Sequence, residues 1–122
     1  MNKMDLIAPS HYNLVSEFEK YSTDESRLAL IWESDKGEKK QITYKNLLLR
    51  ANKIANLFTS KGLKKGDVVL IMVPRLIEAY EVYIAALKAG LVVIPSSEML
   101  RAKDIEYRLT HSEAKAIIAF EP

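Results

Sequence analysis

The stretch Val68–Val73 limits the possible folds more than any other, because it is apolar throughout and directly follows the turn residues Gly66 and Asp67. An uninterrupted apolar run, rather than an alternating one, is expected for a strand that is covered on both faces. Two more apolar runs follow along the chain, at Leu91–Ile94 and at Ala116–Phe120. The second half of the chain therefore predicts three buried strands.

Helical segments separate these three runs. One helix is predicted after Pro74, with Gly90 as its stop, and a shorter one at Lys103–His111. The expected apolar stripe of the first helix consists of Leu76, Tyr80, Tyr83, Ile84 and Leu87. Short strands joined by helical crossovers run parallel, so we predict an α/β fold with a three-stranded parallel β-α-β-α-β sheet flanked by helices. Only Glu121 and Pro122 follow the last strand, so the sheet is expected to be an incomplete subdomain of a larger domain.

A helix and an antiparallel β-hairpin are predicted ahead of this sheet. The helix is the short amphipathic segment Asn13–Tyr21. Its expected apolar face consists of Leu14, Phe18 and Tyr21. Leu28–Trp32 and Gln41–Thr43 flank the turn residues Ser34–Glu38, which is the pattern of a hairpin.

A longer helix is predicted between the hairpin and the sheet. Thr43 is expected to cap its N-terminus, and Gly62 is expected to end it. Its expected buried stripe consists of Leu47, Ala51, Ile54, Ala55 and Phe58. For the whole chain we predict an N-terminal helical segment, residues 1–26, followed by the first part of a larger domain, residues 27–122.

The composition is that of an ordinary globular protein, with 48% hydrophobic residues. Eighteen basic against sixteen acidic residues leave a net charge of +2, too mild to indicate a nucleic-acid or membrane surface. The basic doublets Lys39-Lys40 and Lys64-Lys65 are interpreted as solvated loops. The absence of cysteine excludes disulfides, zinc–thiolate sites and cysteine nucleophiles. With no apolar run long enough to span a bilayer and no signal peptide, we expect a cytoplasmic protein.

No arrangement of residues in the sequence indicates catalysis by this chain. The four glycines are scattered, whereas a phosphate-binding loop needs them clustered. His11 and His111 lie far apart and are expected at surface or capping positions. Ser96-Ser97 lacks a neighbouring base, and the acidic pairs fall on helix faces with nothing opposite them. We therefore predict no catalytic, cofactor-binding or metal-ligating residue.

Arg75 has two open interpretations. It follows the first strand of the sheet, and ligands of open α/β sheets collect beyond the carboxyl ends of the strands. It also lies in the first turn of a predicted helix, where the helix dipole disfavours a cation. Arg75 either contacts an anion or a carboxylate elsewhere in a larger protein, or forms an ion pair with Glu78 or Glu98. We favour the ion pair.

Several short motifs together resemble a known family. The motifs are Gln41–Leu47, Ala51–Ala55, Gly62–Val69, Met72–Arg75, Ala89–Pro95, Lys103–Leu109 and Ser112–Ile118. The first three are similar to the N-terminal region of adenylate-forming enzymes, which include acyl-CoA synthetases, luciferases and peptide-synthetase adenylation domains. The others resemble the medium-chain branch of the acyl-CoA synthetases. One departure is Asn46, where the family usually has the glutamate of a capping box.

The resemblance implies the N-terminal part of an AMP-forming acyl-CoA synthetase. Such an enzyme uses ATP and Mg²⁺ to convert a carboxylic acid, here a medium-chain fatty acid, into an acyl-adenylate, and coenzyme A then displaces AMP to give a thioester. The family's ATP-binding and catalytic residues are expected in the rest of the intact enzyme, so this chain alone is expected to bind no cofactor and to be inactive. Its expected partners are the remainder of its own polypeptide and, through an unfinished sheet, other copies of itself.

Two other functions stay open from the sequence. The chain is alternatively a stand-alone interaction or regulatory module built on the same scaffold, which a stop codon after Pro122 would favour. A small nucleotide-binding sheet domain is the third possibility, but no glycine-rich turn follows Val73 or Pro95.

Overall fold

A computed structural model describes residues 2–121 of the chain. Its α-helices are α1 (Val15–Glu19), α2 (Tyr44–Ser60), α3 (Ile77–Lys88) and α4 (Ala102–Ser112). Its strands are β1 (Leu28–Glu33), β2 (Lys39–Thr43), β3 (Val68–Met72), β4 (Val92–Pro95) and β5 (Ala116–Ala119). A short 3₁₀ helix at Lys3–Leu6 precedes α1.

The strands form two separate sheets. Strands β1 and β2 pair antiparallel, with Ile31 opposite Gln41 and Trp32 opposite Lys40. The other three strands form a parallel sheet in the order β4-β3-β5. The predicted fold class, a three-stranded parallel sheet flanked by helices and preceded by a helix and a hairpin, is confirmed.

One side of the parallel sheet packs against α2 and α3, and we call it the packed face. Val69 and Ile71 of β3 lie there with no exposed surface. Paired residues of parallel strands point to the same side, so the register adds three partly buried residues. These are Val93, Ala116 and Ile118. The α2 side chains of Leu47, Ala51 and Phe58 complete this core, which confirms the predicted stripe.

The opposite side of the sheet is only partly covered, and we call it the open face. Leu70 and Met72 of β3 are buried there, but Val92 is 50% exposed and Ile117 is 43% exposed. The connection from β4 to β5 runs through α4, which contributes no buried residue. Coverage on both faces, which the apolar runs predicted, therefore holds for β3 and not for the two edge strands.

The predicted apolar stripe of α3 is wrong at two positions. Tyr80 and Leu87 are exposed, and the buried surface of the helix is centred on other residues. The buried residues of α3 are Ile77, Ala79, Glu81, Val82, Ile84, Ala85 and Ala86. Small alanines let α3 pack closely against α2, whereas a large stripe containing two tyrosines would hold the helices apart.

Two further details differ from the sequence-based predictions. Helix α1 is shorter than Asn13–Tyr21, and it buries Val15 whereas Leu14 is exposed. The Asn13 side chain forms a local turn ahead of the helix by accepting from the Val15 N–H at 2.9 Å. Lys39-Lys40 lies in strand β2 rather than in a loop. The Lys40 ammonium nitrogen lies 5.3 Å from the centroid of the Trp32 ring on the neighbouring strand. This cation–π contact favours an extended Lys40 side chain.

The predicted helix ends are confirmed. The Thr43 hydroxyl accepts from the Asn46 N–H at 3.3 Å at the start of α2. Gly62 has a φ of +86° just beyond the C-terminus of α2, a conformation that a side chain would strain. None of the helices among residues 2–121 is long and apolar enough to cross a membrane.

Candidate functional site

The carboxyl ends of β3, β4 and β5 lie at one edge of the parallel sheet. The loop after β3 leads to α3 on the packed face, and the loop after β4 leads to α4 on the open face. The loops that follow the neighbouring strands β3 and β4 therefore diverge at this edge. In open α/β sheets this is where ligands bind. The residues at that edge are Val73–Leu76 after β3, residues 96–101 after β4, and Phe120 and Glu121 after β5.

The loop after β3 is held by the hairpin. The Trp32 indole N–H donates to the Arg75 carbonyl oxygen at 2.7 Å, and the Leu76 N–H donates to the Pro74 carbonyl oxygen at 2.7 Å. The hairpin therefore fixes the backbone at the entry to α3.

The predicted ion pair of Arg75 is wrong. The Arg75 side chain is exposed, and no carboxylate within the described stretch 2–121 approaches its guanidinium to 4.0 Å. A pair with Glu78 or Glu98 would join two solvated side chains, and such pairs contribute little over hydration. The other interpretation, contact with an anion or a carboxylate outside this chain, stays a prediction.

A groove of about 590 Å³ lies between the open face and α4. Its lining includes Ile94, Leu100, Asp104, Tyr107, Arg108 and His111. The Tyr107 and His111 rings stack with their centroids 5.5 Å apart and an interplanar angle of 7°. The sequence predicted His111 at the end of a helix, which is confirmed, but the stacking was missed. The i,i+4 spacing of two aromatic rings on one helix could have indicated this stacking.

A partly buried ion pair joins α2 to α3. Glu81 is 5% exposed and accepts from the Arg50 guanidinium at 3.0 Å. The sequence analysis expected nothing opposite the acidic pairs on the helix faces, which is wrong for Glu81 because Arg50 lies opposite it. The pair lies between two helices and away from the carboxyl edge, so its role is in helix packing.

Two carboxyl groups with lowered pKa values lie in the N-terminal segment. Hydrogen bonds from Lys20 and Tyr12 lower the pKa of Glu17. Hydrogen bonds from the Ser26 hydroxyl and N–H lower the pKa of Asp24. Both shifts come from local turn and helix contacts, so they report local structure rather than a catalytic centre.

The side chains of residues 2–121 do not fit the groups that an adenylate-forming enzyme binds. No three His, Asp or Glu side chains of this stretch lie close enough to hold a metal ion. Its glycines, Gly37, Gly62, Gly66 and Gly90, each take a positive φ in a separate turn, so they form no shared cradle for phosphates. We derive no chemical step through ATP or Mg²⁺ on this chain.

The fold is that of an open, doubly wound α/β protein, with α2 and α3 on one face of the parallel sheet and α4 on the other. The sequence model of the family described as "AMP-binding enzyme" matches residues 18–122. The chain belongs to this family, as the sequence motifs indicated.

The sequence relatives are acyl-CoA ligases and acyl-CoA synthetases. The Bacillus subtilis protein named "Uncharacterized acyl--CoA ligase YtcI" is 50% identical over 120 residues, which is 98% of this chain and 23% of the relative. The human protein named "Acyl-coenzyme A synthetase ACSM4, mitochondrial" is 32% identical over 129 residues, which is 99% of this chain and 22% of the relative. The chain therefore spans less than a quarter of the length of these relatives.

Solved structures show the same fold. A Brucella canis acyl-CoA synthetase superposes with a TM-score of 0.84 at 27% identity, over 94% of this chain and 22% of that chain. The N-terminal subdomain of NpsA from Klebsiella oxytoca superposes with a TM-score of 0.76 at 27% identity, over 88% of this chain and 27% of that chain. The family recognised from the sequence, that of AMP-forming acyl-CoA synthetases, is thus confirmed.

Proposed function

We propose that this chain is the scaffold portion of an acid–thiol ligase and is inactive by itself. In the intact enzyme, ATP and a carboxylic acid form an acyl-adenylate and release pyrophosphate, and coenzyme A then displaces AMP. The observation that carries this proposal is the match of nearly the whole chain to less than a quarter of an acyl-CoA ligase. The carboxyl edge of the sheet supports it, because Arg75 is exposed there and no three His, Asp or Glu side chains of residues 2–121 form a metal-ligand set.

The acid substrate is proposed to be a medium-chain fatty acid. This step rests on the resemblance of the motifs around Met72–Arg75 and Ala89–Pro95 to the medium-chain branch. A Metallosphaera sedula relative named "4-hydroxybutyrate--CoA ligase 1" is 35% identical over 95 residues. Octanoate and 4-hydroxybutyrate are therefore the two acids to compare in an assay of the intact enzyme.

The remainder of the polypeptide is the proposed partner of the open face. Val92 and Ile117 expose apolar surface that a covering segment would remove from water. The division between residues 1–26 and 27–122 stays a prediction. A cytoplasmic location belongs to the same proposal, and subcellular fractionation of the intact protein would test it.

A binding assay tests the inactivity of the chain directly. Titration calorimetry of the 122-residue chain with ATP and Mg²⁺ is expected to give no heat of binding, and incubation with octanoate and coenzyme A is expected to give no thioester. Micromolar affinity for ATP, or thioester formed by this chain alone, would overturn the proposal. Circular dichroism of the same sample shows that the chain is folded when it is tested.

A chimera tests the scaffold role. The chain replaces the matching segment of the Metallosphaera sedula ligase, and the chimera is expected to form 4-hydroxybutyryl-CoA because the substituted part supplies framework rather than catalytic groups. The matched control is the same chimera carrying Ile71→Asp, which places a charge in the packed core and should abolish activity. A folded chimera without activity would favour the interaction module, as would a stop codon directly after Pro122 in the gene.

A further inference from the structure

Helix α1 and the residues just before it pack on α2 and α3, and we call the segment Asn13–Glu19 the strap. The Asn13 side-chain amide donates to the Leu87 carbonyl oxygen at 3.1 Å and to the Lys88 carbonyl oxygen at 3.4 Å. The last four carbonyl groups of a helix have no regular partner four residues on, so these two are open to such a donor. A residue 74 positions earlier in the chain therefore caps the C-terminus of α3.

Two further contacts hold the strap in place. The Val15 side chain is 1% exposed and belongs to the hydrophobic core that includes Leu48 of α2 and Ala85 of α3. The Lys88 ammonium donates to the Glu19 carboxylate at 2.7 Å, and both side chains remain partly exposed. The strap is thus attached by one fully buried side chain that lies between two solvent-accessible polar contacts.

A buried oxygen beside the strap lacks a partner. The side-chain oxygen of Asn52 in α2 is closed to solvent, and no donor among residues 2–121 pairs with it. Asn52 lines two grooves, one shared with Glu19 and the other with Lys88, so it lies beside this ion pair. An unpaired buried acceptor raises the free energy of the closed state, and water that reaches the oxygen removes this cost.

We propose that the strap opens and closes as one unit while α2, α3 and the parallel sheet stay folded. Segments with few buried contacts open at a lower free energy than the core to which they are attached. Opening removes Val15 from the core, frees the last carbonyls of α3 and admits water to the Asn52 oxygen. Because α3 leads through residues 89–91 directly into β4, the strap determines how firmly this end of α3 is held. The inference concerns contacts within residues 2–121 and does not depend on the proposed ligase function.

Hydrogen exchange of the 122-residue chain, followed by NMR, tests the strap. The Val15 N–H donates to the Asn13 side chain, and the Lys20 N–H donates to the Ser16 carbonyl oxygen, so strap opening exposes both amides. These two amides are expected to share one opening free energy. That free energy should lie well below the value for the Leu70 amide in the central strand of the sheet.

Asn13→Asp separates the cap of α3 from the turn ahead of α1. The aspartate keeps an oxygen for the Val15 N–H but loses both donors to α3, and its charge is disfavoured at a helix C-terminus. Exchange of the Val15 and Lys20 amides should therefore become about ten-fold faster, while exchange of the Leu70 amide should not change. Asn13→Ala removes the turn as well as the cap and is the comparison for the complete loss of this contact.

Charge-swapped variants test the second polar contact. Glu19→Lys and Lys88→Glu, each alone, set like charges beside each other and should accelerate exchange of the strap amides by about three-fold. The double variant Glu19→Lys/Lys88→Glu should restore most of the protection. Asn52→Leu replaces the unpaired oxygen by an apolar group of similar size and should slow exchange of the strap amides.

Equal acceleration of the Val15, Lys20 and Leu70 amides in Asn13→Asp would overturn the proposal, because the strap would then open only with the whole chain. Different opening free energies for Val15 and Lys20 would also overturn it, since they would indicate fraying of single residues. A double charge swap that exchanges as fast as the single variants, or an Asn52→Leu chain that exchanges no more slowly, would likewise contradict it.

Discussion

The packed and open faces of the parallel sheet share the same strands but differ in what covers them. On the packed face, Val69 and Ile71 contact two helices and have no exposed surface. On the open face, α4 is the one helix that residues 2–121 provide, and Val92 and Ile117 keep about half of their surface exposed. The two faces therefore differ at the edge strands rather than at β3, whose Leu70 on the open face is as fully buried as Ile71. The exposed part of the open face is available for further protein.

The largest expected change in the free energy of unfolding comes from truncating one isoleucine on each face to alanine. Ile71→Ala should lower the free energy of unfolding by about 3 kcal/mol, because it leaves a cavity in a fully buried core. Ile117→Ala, the matched control on the open face, should cost less than about 1 kcal/mol, since little burial is lost. Urea unfolding measures both. Equal losses would show that the two faces are covered alike.

A smaller effect is expected from the ion pair that joins the two helices of the packed side. Arg50→Ala leaves the buried Glu81 carboxylate without its partner and should cost about 1 to 2 kcal/mol. This cost is small for the loss of a buried ion pair because the Arg50 side chain is 58% exposed. Arg50→Lys is the control, because it keeps the charge and should recover part of the loss. No change in the urea midpoint for Arg50→Ala would contradict the role assigned to this pair.

The start of α2 provides the next test of the packed side. Thr43→Ala removes the oxygen that accepts from the Asn46 N–H and should cost about 1 kcal/mol. Thr43→Ser keeps the acceptor and should cost much less. Asn46→Glu completes the capping box and should raise the thermal midpoint slightly. Thermal unfolding followed by circular dichroism ranks the three variants, and an order in which serine behaves like alanine would contradict the cap.

The smallest effect is expected at a turn that belongs to neither face. Hydrogen bonds from Ser26 lower the pKa of Asp24, so its contribution to stability is present above the ordinary carboxyl pKa. That contribution is lost as the pH falls through the lowered pKa. Asp24→Asn should therefore reduce the loss of unfolding free energy at acidic pH. The difference in unfolding free energy between Ile71→Ala and Ile117→Ala should stay the same. An NMR titration that places the Asp24 midpoint above its ordinary value would contradict this assignment.

The fold was predictable where the pattern of residues is local. The three apolar runs at Val68–Val73, Leu91–Ile94 and Ala116–Phe120, with helical segments between them, are enough to indicate the parallel sheet, because each signal lies within one element. The α3 stripe was not predictable in the same way. Its alanines are small enough to pack on two sides, and an apolar count gives more weight to Tyr80 and Leu87, which are exposed.

The candidate site was less predictable, because its features depend on distant contacts. The order of elements along the chain is enough to place Arg75 at the carboxyl edge. The hydrogen bond from Trp32 to the Arg75 carbonyl oxygen depends instead on where the hairpin packs. The burial of Glu81 likewise depends on its contact with Arg50, 31 positions earlier in the chain. Neither pairing is marked by a spacing rule within one element.

The accessibility of methyl groups to a soluble nitroxide tests the difference between the two faces most directly. In methyl NMR spectra of the dilute, monomeric chain, the Val92 and Ile117 signals should broaden strongly, while those of Val69 and Ile71 should remain sharp. Equal protection of all four methyl-bearing residues would contradict the account, because the open face would then be closed by the chain itself.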